Sequence, residues 1–219
     1  MSEMFEGAMG PGCVCVVDDD DGIRGSLGSL FRSAGLAVAL HDSPDAFLKA
    51  GLPKGPACLV LDVRLPGING LDFQETLAAQ GMGIPVILIT GHGDIPMTVR
   101  GMKMGAIDFL PKPFSDEQML AAVATALERD RERQAGAESD ARLNECYARL
   151  TPREREVLGL VVAGLMNKQV AAKMELSEIT VKIHRGNVMR KMEAQSLADL
   201  VRMAEQLGVR DESAHRFNI

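Results

Sequence analysis

Short apolar runs alternate with helical patterns through the first 125 residues, and this alternation limits the possible folds more than any other feature. Five runs have the length and composition of β-strands. The third and fourth are continuously apolar, as expected of parallel strands that are buried on both faces of a sheet. The predicted strands span residues 13–17, 37–40, 58–61, 85–89 and 108–110.

A helical pattern follows each predicted strand. Ser43 and Pro44 provide an N-cap and a first-turn proline for the second helix. Ser115 and Gln118 form a capping box that opens the fifth. Five strands alternating with five helices predict a doubly wound α/β domain, (βα)5, over residues 13–127.

The segments around this domain are polar. Residues 128–148 are rich in charge and predict a solvated linker, helical at most as far as Gly136. Residues 1–12 have neither a basic start nor an apolar core, so we interpret them as a disordered leader rather than a signal peptide. Residues 211–219 form a tail, and no apolar run approaches the roughly 18 residues that a membrane span needs.

Residues 149–210 carry only helical patterns. Thr151 opens a capping box with proline at the first helical position, and Gly164 ends that helix. Ser177 and Ser196 are N-cap residues for two later helices, and a short helix starts at Asn167. This pattern predicts an all-α domain of four helices.

Charge divides the chain in the same way. Residues 1–125 carry 8 Lys and Arg against 15 Asp and Glu, whereas residues 150–210 carry 10 against 7. An acidic half and a basic half indicate two domains with different partners. The basic excess permits nucleic-acid binding without requiring it.

The four cysteines do not form a metal or redox motif. Cys13 and Cys15 alternate with valines in a strand-like run, and Cys58 and Cys146 stand alone. We expect buried thiols that act as small apolar side chains in a reducing cytoplasm.

Polar residues stand at four strand ends in the first domain. They are Asp18 and Asp19 after the first strand, Asp62 after the third, Thr90 after the fourth and Lys112 after the fifth. Ligands of parallel α/β sheets bind at the carboxyl ends of strands. Clustered carboxylates repel one another unless a cation lies among them, and oxygen ligands suit Mg²⁺. An Asp carboxylate can also attack phosphorus and form an acyl phosphate.

The runs VVDDD, LVLDVRLPGINGL, ILITGHGD and GAIDFLPKPF resemble the receiver domain of two-component response regulators. The resemblance covers nearly all of residues 13–127. It implies that Asp62 is the phosphoacceptor, that Pro66 and Gly70 shape the following loop, and that residues 91–94 form a switch loop. It also implies a Mg²⁺ site made by Asp18, Asp19, Asp62 and the backbone carbonyl of Arg64, with Thr90, Phe109 and Lys112 as phosphate and switch residues.

The run LTPREREVLGLVVAGLMNKQVAAKMELSEITVKIHRGNVMRKM resembles the LuxR-type helix-turn-helix of the FixJ/NarL class of regulators. By this resemblance the recognition helix spans residues 177–192. Val181, Val188 and Met192 share a face of that helix that should be buried. The polar residues on the other faces of this helix are predicted to contact the major groove of DNA. Lys168 and Lys191 are predicted to contact phosphates. The predicted DNA-binding residues are Lys168, Thr180, Val181, Lys182, His184, Arg185 and Lys191.

Gly186 departs from a good helix sequence, because a mid-helix glycine costs about 1 kcal/mol relative to alanine. Either the helix is weakened there or its backbone approaches DNA closely. The sequence leaves both interpretations open.

Together these features predict a transcriptional response regulator that is not a turnover enzyme. A partner histidine kinase would phosphorylate Asp62, and Phe109 would then turn inward as Thr90 moves toward the phosphate. Two receivers would form a homodimer that binds promoter double-stranded DNA and acts on RNA polymerase in the cytoplasm.

Two other classes remain open. One is a Mg²⁺-dependent phosphohydrolase with Asp62 as a turnover nucleophile. It would want an acidic residue at position 64, which is Arg64 here. The other is a DNA-binding protein that ignores phosphorylation and keeps a vestigial receiver.

Overall fold

The computed structural model describes residues 12–91 and 95–209. Contacts divide the chain into two compact units, Met1–Ala135 and Gly136–Ile219. The predicted tail, all but the last residue of the predicted leader, and most of the predicted switch loop lie outside the described residues.

A five-stranded parallel sheet forms the centre of the first unit. In chain order the strands are β1 (Cys13–Val17), β2 (Ala37–His41), β3 (Ala57–Asp62), β4 (Arg64–Leu65), β5 (Ile68–Asn69), β6 (Val86–Thr90) and β7 (Asp108–Pro111). The sheet order is β2-β1-β3-β6-β7, while β4 and β5 form a separate antiparallel ribbon. The order reverses between β1 and β3, which places the ligand crevice of such a sheet at the carboxyl ends of these two strands.

Helices alternate with the strands of this sheet, and apolar clusters occupy both of its faces. One cluster is built around Phe47, Phe73 and Leu77, and the other around Phe31 and Met119. The helices are α1 (Asp21–Ser33), α2 (Pro44–Ala50), α3 (Gly70–Ala79), α4 (Ile95–Lys103) and α5 (Asp116–Ala148). The predicted doubly wound (βα)5 fold is therefore confirmed.

Two local features differ from the sequence prediction. β3 ends on Asp62 and β6 ends on Thr90, so both residues are the last of a strand rather than the first after it. The ribbon of β4 and β5 was not expected. It forms because Pro66 and Gly67 occupy the centre of a tight turn, where the φ of 83° at Gly67 suits glycine.

α5 continues much further than the sequence predicted, through the whole of the charged segment to Ala148. The carboxylate of Asp130 explains part of this extension. It is buried and accepts hydrogen bonds from the backbone N–H of Ala57 at 2.8 Å and from the side chain of Gln134 at 2.7 Å. The beginning of the segment is therefore packed against the start of β3, whereas residues 135–142 are exposed.

The second unit contains the predicted four helices, α6 (Pro152–Val162), α7 (Asn167–Met174), α8 (Glu178–Lys191) and α9 (Leu197–Gln206). Thr151 and Glu154 form the expected capping box, and Gly164 adopts the expected positive φ of 92° after α6. The apolar core includes Val157, Val170, Val181, Val188 and Leu200, together with Leu143 and Cys146 from the end of α5.

The cysteines are free thiols, and all but the half-buried Cys13 are buried. Burial raises the pKa of the Cys58 thiol to about 12, so this group remains protonated at neutral pH. Among the described residues, no helix combines the length and the apolar character that a bilayer span requires.

Candidate functional site

The sheet brings the predicted polar residues of four strands to one edge. Asp18 follows β1, Asp62 ends β3, Thr90 ends β6 and Lys112 follows β7. The first three side chains are buried. Such burial of polar groups is tolerated only where they find partners, so the contacts among them define the site.

Lys112 joins the two buried carboxylates. Its Nζ lies 2.8 Å from Oδ2 of Asp18 and 2.8 Å from Oδ1 of Asp62. The other oxygen of each carboxylate accepts a backbone N–H, from Asp20 at 2.9 Å and from Arg64 at 2.7 Å. Each carboxylate is therefore held by one ammonium and one peptide group.

Burial is the largest influence on the pKa of Asp62 and raises it, while the hydrogen bond from Lys112 works in the opposite direction without cancelling the effect. Burial alone would lower the pKa of Lys112, but the contacts with Asp18 and Asp62 outweigh it and the pKa is raised. Lys112 therefore stays cationic between two acidic groups at neutral pH.

Close backbone packing fixes Asp62 from the other side. A Cβ atom on Gly70 would lie only 2.3 Å from the carbonyl oxygen of Asp62 and 2.9 Å from the Cα of Val63. Only glycine allows α3 to begin so near the end of β3. This supports the expectation that Gly70 shapes the loop after the third strand.

The acidic residues after β1 do not all join the site. Asp19 is exposed, and Asp20 is the N-cap of α1, accepting from the N–H groups of Gly22 and Ile23. Within residues 12–91 and 95–209, no three His, Cys, Asp or Glu side chains are grouped closely enough to hold a metal ion. The ammonium of Lys112 lies between Asp18 and Asp62.

The donor chemistry nevertheless suits a hard cation. Asp18 and Asp62 are buried carboxylates, and Asp19 is the residue after Asp18. Mg²⁺ commonly takes few protein carboxylates and keeps several waters. The predicted carbonyl ligand belongs to Arg64, whose N–H already contacts Asp62.

Phe109 is buried in the apolar cluster on one face of the sheet. The inward turn of Phe109 on phosphorylation stays a prediction. The ring approaches α4 at Gly101, where an added Cβ would lie 3.6 Å from Cδ2 of Phe109 and 2.5 Å from Cδ1 of Leu88. The aromatic side chain therefore lies near α4 at this glycine.

The second unit presents one side of α8 and buries another. Val181 and Val188 are buried in the core, as the helical wheel predicts. The assignment of Val181 to the DNA-binding residues is therefore corrected, because a wholly buried side chain cannot reach a base. Lys182 and Gly186 lie on the exposed side, and Thr180, His184 and Arg185 are half-buried at its margins.

Two exposed isoleucines on α8 were missed by the sequence analysis. Ile179 is 75% exposed and Ile183 is 59% exposed, one helical turn apart and beside Lys182. Their spacing in the sequence could have revealed them, since they lie at i and i+4 on a different face of the helix from Val181 and Val188. Apolar side chains on an exposed recognition surface can contact the methyl group of thymine.

Two of the residues that were predicted to contact DNA make hydrogen bonds within the second unit. The guanidinium of Arg185 donates to Oδ1 of Asn167 at 3.1 Å, which connects α8 to the start of α7. Lys191 donates to Oε2 of the buried Glu154 at 2.6 Å. Burial is the largest influence on Glu154 and raises its pKa, but the bonds from Lys191 and Thr151 outweigh it and the net pKa is lowered.

Comparison with known proteins assigns both units. The chain matches the family described as "Response regulator receiver domain" over residues 14–124, and the family "Bacterial regulatory proteins, luxR family" over residues 148–204. It is 57% identical to Nodulation protein W of Bradyrhizobium diazoefficiens, an alignment that covers 90% of this chain and 86% of the relative.

Two further proteins are similar over nearly their whole length. The Transcriptional regulatory protein FixJ of Azorhizobium caulinodans is 50% identical, with 90% of this chain and 93% of the relative covered. The solved structure of Response Regulator StyR is 47% identical with a TM-score of 0.83, covering 90% of this chain and 99% of that one.

Proposed function

This chain belongs to the response regulators that carry a receiver domain and a LuxR-type DNA-binding domain, and from that premise we propose that phosphorylation of Asp62 controls its binding to promoter DNA. The observation that supports this most strongly is the position of Asp62. Its carboxylate is buried at the end of β3 and accepts from Lys112 and from the N–H of Arg64, at 2.8 and 2.7 Å.

The proposed chemistry is transfer of a phosphoryl group from a phosphohistidine of a partner kinase. An oxygen of Asp62 forms a bond to phosphorus, the P–N bond breaks, and the imidazole takes up a proton from solvent. Lys112, already within hydrogen-bond distance of Asp62, then donates to a phosphoryl oxygen. Mg²⁺, held by Asp18, Asp19, Asp62 and the carbonyl of Arg64, would supply positive charge that offsets the incoming phosphoryl oxygens.

A cleft beside the site is suited to the kinase. It has a volume of about 480 Å³ and lies between α1 and the segment that follows β7. Its apolar wall includes Ile23, Leu27 and Phe114, and Lys112 and Asp20 line it as well. A helix of the kinase that carries the phosphohistidine can pack its apolar side here, which would bring the donor close to Asp62.

The receiver is proposed to form a homodimer through α4 when phosphorylated. Ile95, Val99 and Met102 form an exposed apolar stripe along this helix, with Ile95 at 81% exposure. Phe109 of β7 lies near Gly101 of the same helix, so a rearrangement at the end of β7 can alter the stripe. A second copy of the receiver is the occupant we propose, because a two-fold DNA site requires two DNA-binding units.

We propose that Lys182, Thr180 and His184 on α8 contact the DNA bases. Lys168 and Arg185, which lie near the start of α7, contact phosphates of the DNA backbone. Ile183 is added to the predicted set because it is exposed beside Lys182. Lys191 is left out because its ammonium pairs with Glu154. We also propose that the promoter-bound protein acts on RNA polymerase in the cytoplasm.

We propose that the chain is not a turnover enzyme. A phosphohydrolase of this type would want an acid two residues after its nucleophile, and position 64 is occupied by Arg64. The aspartyl phosphate should therefore be lost slowly, as a switch requires.

Incubation of the full chain with acetyl phosphate and Mg²⁺ tests the proposal. The wild type should gain one phosphoryl group by intact-protein mass spectrometry, whereas Asp62→Asn should gain none. Asp42→Asn, which changes an exposed aspartate outside the site, is the matched control and should be labelled like the wild type. Equal labelling of Asp62→Asn and wild type would disprove the assignment.

A further inference from the structure

Arg24 is a charged residue near the start of α1 that the proposed phosphorylation chemistry does not use. Its side chain is only 14% exposed, and arginine is rarely covered to this extent unless it is paired. A cation close to the N-terminus of a helix is also disfavoured by the helix dipole. The reason for an arginine at this position therefore lies in its partners, which are the backbone carbonyl of Asp18 and the carboxylate of Asp21.

The bond to Asp18 fixes the backbone where the chain leaves β1. The N–H of Asp18 donates to the carbonyl of His41 at 3.3 Å, and its carbonyl oxygen accepts from NH1 of Arg24 at 2.6 Å. A hydrogen bond from a charged donor is stronger than one between neutral groups. Because a peptide group is planar, this bond also sets the direction in which the chain continues from Asp18 to Asp19.

Asp18 is held through its side chain as well, by Lys112 and by the N–H of Asp20. With the peptide group fixed, the exposed Asp19 can turn toward the site by rotation of its side chain alone, without a change in its backbone. A ligand group whose backbone is already ordered loses less conformational entropy when it binds. The contact made by Arg24 should therefore favour binding of a cation by Asp18 and Asp19.

The charge of Arg24 acts in the opposite direction. A guanidinium group close to a cation site repels the incoming ion and lowers its affinity. Asp21, which is 93% exposed, pairs with Arg24 and offsets part of this charge. The positioning effect and the charge effect of Arg24 on cation affinity thus have opposite signs, so a measurement of that affinity separates them.

We propose that Arg24 is a positioning residue for Mg²⁺: by donating to the carbonyl of Asp18, it holds the backbone of Asp18 and Asp19 in the conformation from which both carboxylates reach the ion. This role rests on the proposed function, in which these two residues bind Mg²⁺ beside Asp62. Arg24 itself contacts neither the ion nor the phosphoryl group.

Titration of MgCl₂ into the unphosphorylated, ¹⁵N-labelled full chain at constant ionic strength tests this role without any phosphoryl transfer. The backbone amide signals of Asp20 and Arg64 are followed, because these N–H groups donate to Asp18 and Asp62. The wild type should show saturable shifts. Arg24→Met removes the donor and the charge and should bind Mg²⁺ about five-fold more weakly, the factor that a hydrogen bond of about 1 kcal/mol corresponds to.

Two further variants separate position from charge. Arg24→Lys keeps a cationic donor on a stem one bond shorter and should recover part of the affinity. Asp21→Asn leaves the bond to Asp18 in place and should change the affinity by less than about two-fold, as expected of an exposed charge. Melting curves confirm that each variant is folded. If Arg24→Met does not fold, Arg24→Gln takes its place with the same expected result, since its amide nitrogen lies two bonds short of the guanidinium nitrogen.

Unchanged or tighter Mg²⁺ binding by folded Arg24→Met would overturn the proposal, because tighter binding is what the loss of repulsion alone predicts. Equal weakening in Arg24→Lys and Arg24→Met would overturn it too. If the wild type shows no saturable shifts, the Mg²⁺ site itself is wrong and the role of Arg24 falls with it. If the wild type binds Mg²⁺ and the folded Arg24 variants bind it equally well, only the role of Arg24 is wrong. Phosphorylation is tested separately with Asp62→Asn.

Discussion

At the scale of single residues, Lys112 in the first unit and Lys191 in the second both pair with a buried carboxylate. Each brings an ammonium to a carboxylate that is buried, Asp62 in one case and Glu154 in the other. The pKa of Asp62 is nevertheless raised, whereas that of Glu154 is lowered. Asp62 is therefore kept in an environment that disfavours its own charge, and Glu154 in one that favours it.

The raised pKa of Asp62 predicts how stability changes with pH. Its contribution to folding is fully present below the ordinary aspartate pKa and is lost as pH rises through the raised value. Asp62→Asn removes the charge and keeps an acceptor for Lys112. We expect it to match the wild type near pH 3.5 and to exceed it at pH 7 by on the order of 1 kcal/mol, about 2–4 °C in Tm.

Melting curves between pH 3.5 and 7.5 measure this difference, with Asp42→Asn as the control for a general charge effect. A Tm for Asp62→Asn below that of the wild type at pH 7 would show that the ion pair with Lys112 outweighs the cost of burial.

The two lysines of α8 should have separable roles. Lys191→Met leaves the buried Glu154 without its partner and should destabilise the second unit by about 3 kcal/mol. Lys182→Ala changes an exposed side chain, so stability should stay within about 0.5 kcal/mol while DNA affinity falls and its salt dependence weakens.

Urea unfolding and fluorescence anisotropy with duplex DNA at several salt concentrations measure the two effects. A folded Lys191→Met protein of wild-type stability would contradict the structural role of the Lys191–Glu154 pair.

At the scale of elements, sequence patterns predicted well wherever one local rule decided the outcome. The buried strands, the caps at Ser43, Thr151 and Ser177, and the turn at Gly164 are of this kind. The length of α5 was missed in part because the helix is held by a long-range hydrogen bond between Asp130 and the N–H of Ala57, 73 residues away. No local pattern reveals such a partner.

The same reasoning explains what could be predicted of the site. Asp18, Asp62, Thr90 and Lys112 share a strand-end position that is visible in the sequence, and the sheet brings them together. The sequence did not show which of the four residues Asp18–Asp21 would join the site, because the side chains of adjacent residues point in different directions. Asp20 caps α1, Asp19 faces solvent and Asp21 pairs with Arg24.

Replacing Gly186 in α8 by alanine should raise the stability of the protein and lower its DNA affinity. A Cβ at this position would meet nothing within 4 Å, so Gly186→Ala should stabilise the free protein by about 1 kcal/mol. Gly186 also lies one turn from both Lys182 and Arg190 on the exposed side, so the added methyl group should lower DNA affinity.

Gly136→Ala is the matched control, since Gly136 is also exposed within a helix and has open space around it. It should raise Tm without changing DNA affinity. Unaltered DNA binding by Gly186→Ala would favour the simpler interpretation, in which this glycine only weakens the helix.

At the scale of the whole molecule, phosphorylation is expected to change the number of chains in the assembly. Val99→Lys places a charge within the apolar stripe of α4, where a second receiver is proposed to dock. We expect this variant to be phosphorylated normally and to remain a monomer, whereas the phosphorylated wild type forms a dimer.

Sedimentation velocity before and after treatment with acetyl phosphate measures the change. Lys54→Glu, which alters a charge on an exposed segment far along the chain from α4, is the control and should dimerise. Dimerisation of phosphorylated Val99→Lys would exclude the stripe as the contact surface.

The anchoring of Asp130 has a consequence for anyone who exchanges domains between regulators of this family. A fusion joined after Leu127, where the apolar helical pattern ends, would discard the carboxylate that accepts the N–H of Ala57 at the start of β3. The transplanted receiver would then carry a frayed strand that ends at Asp62. A junction placed after Gln134 keeps this group and its two side-chain partners, so hybrid regulators should be spliced there.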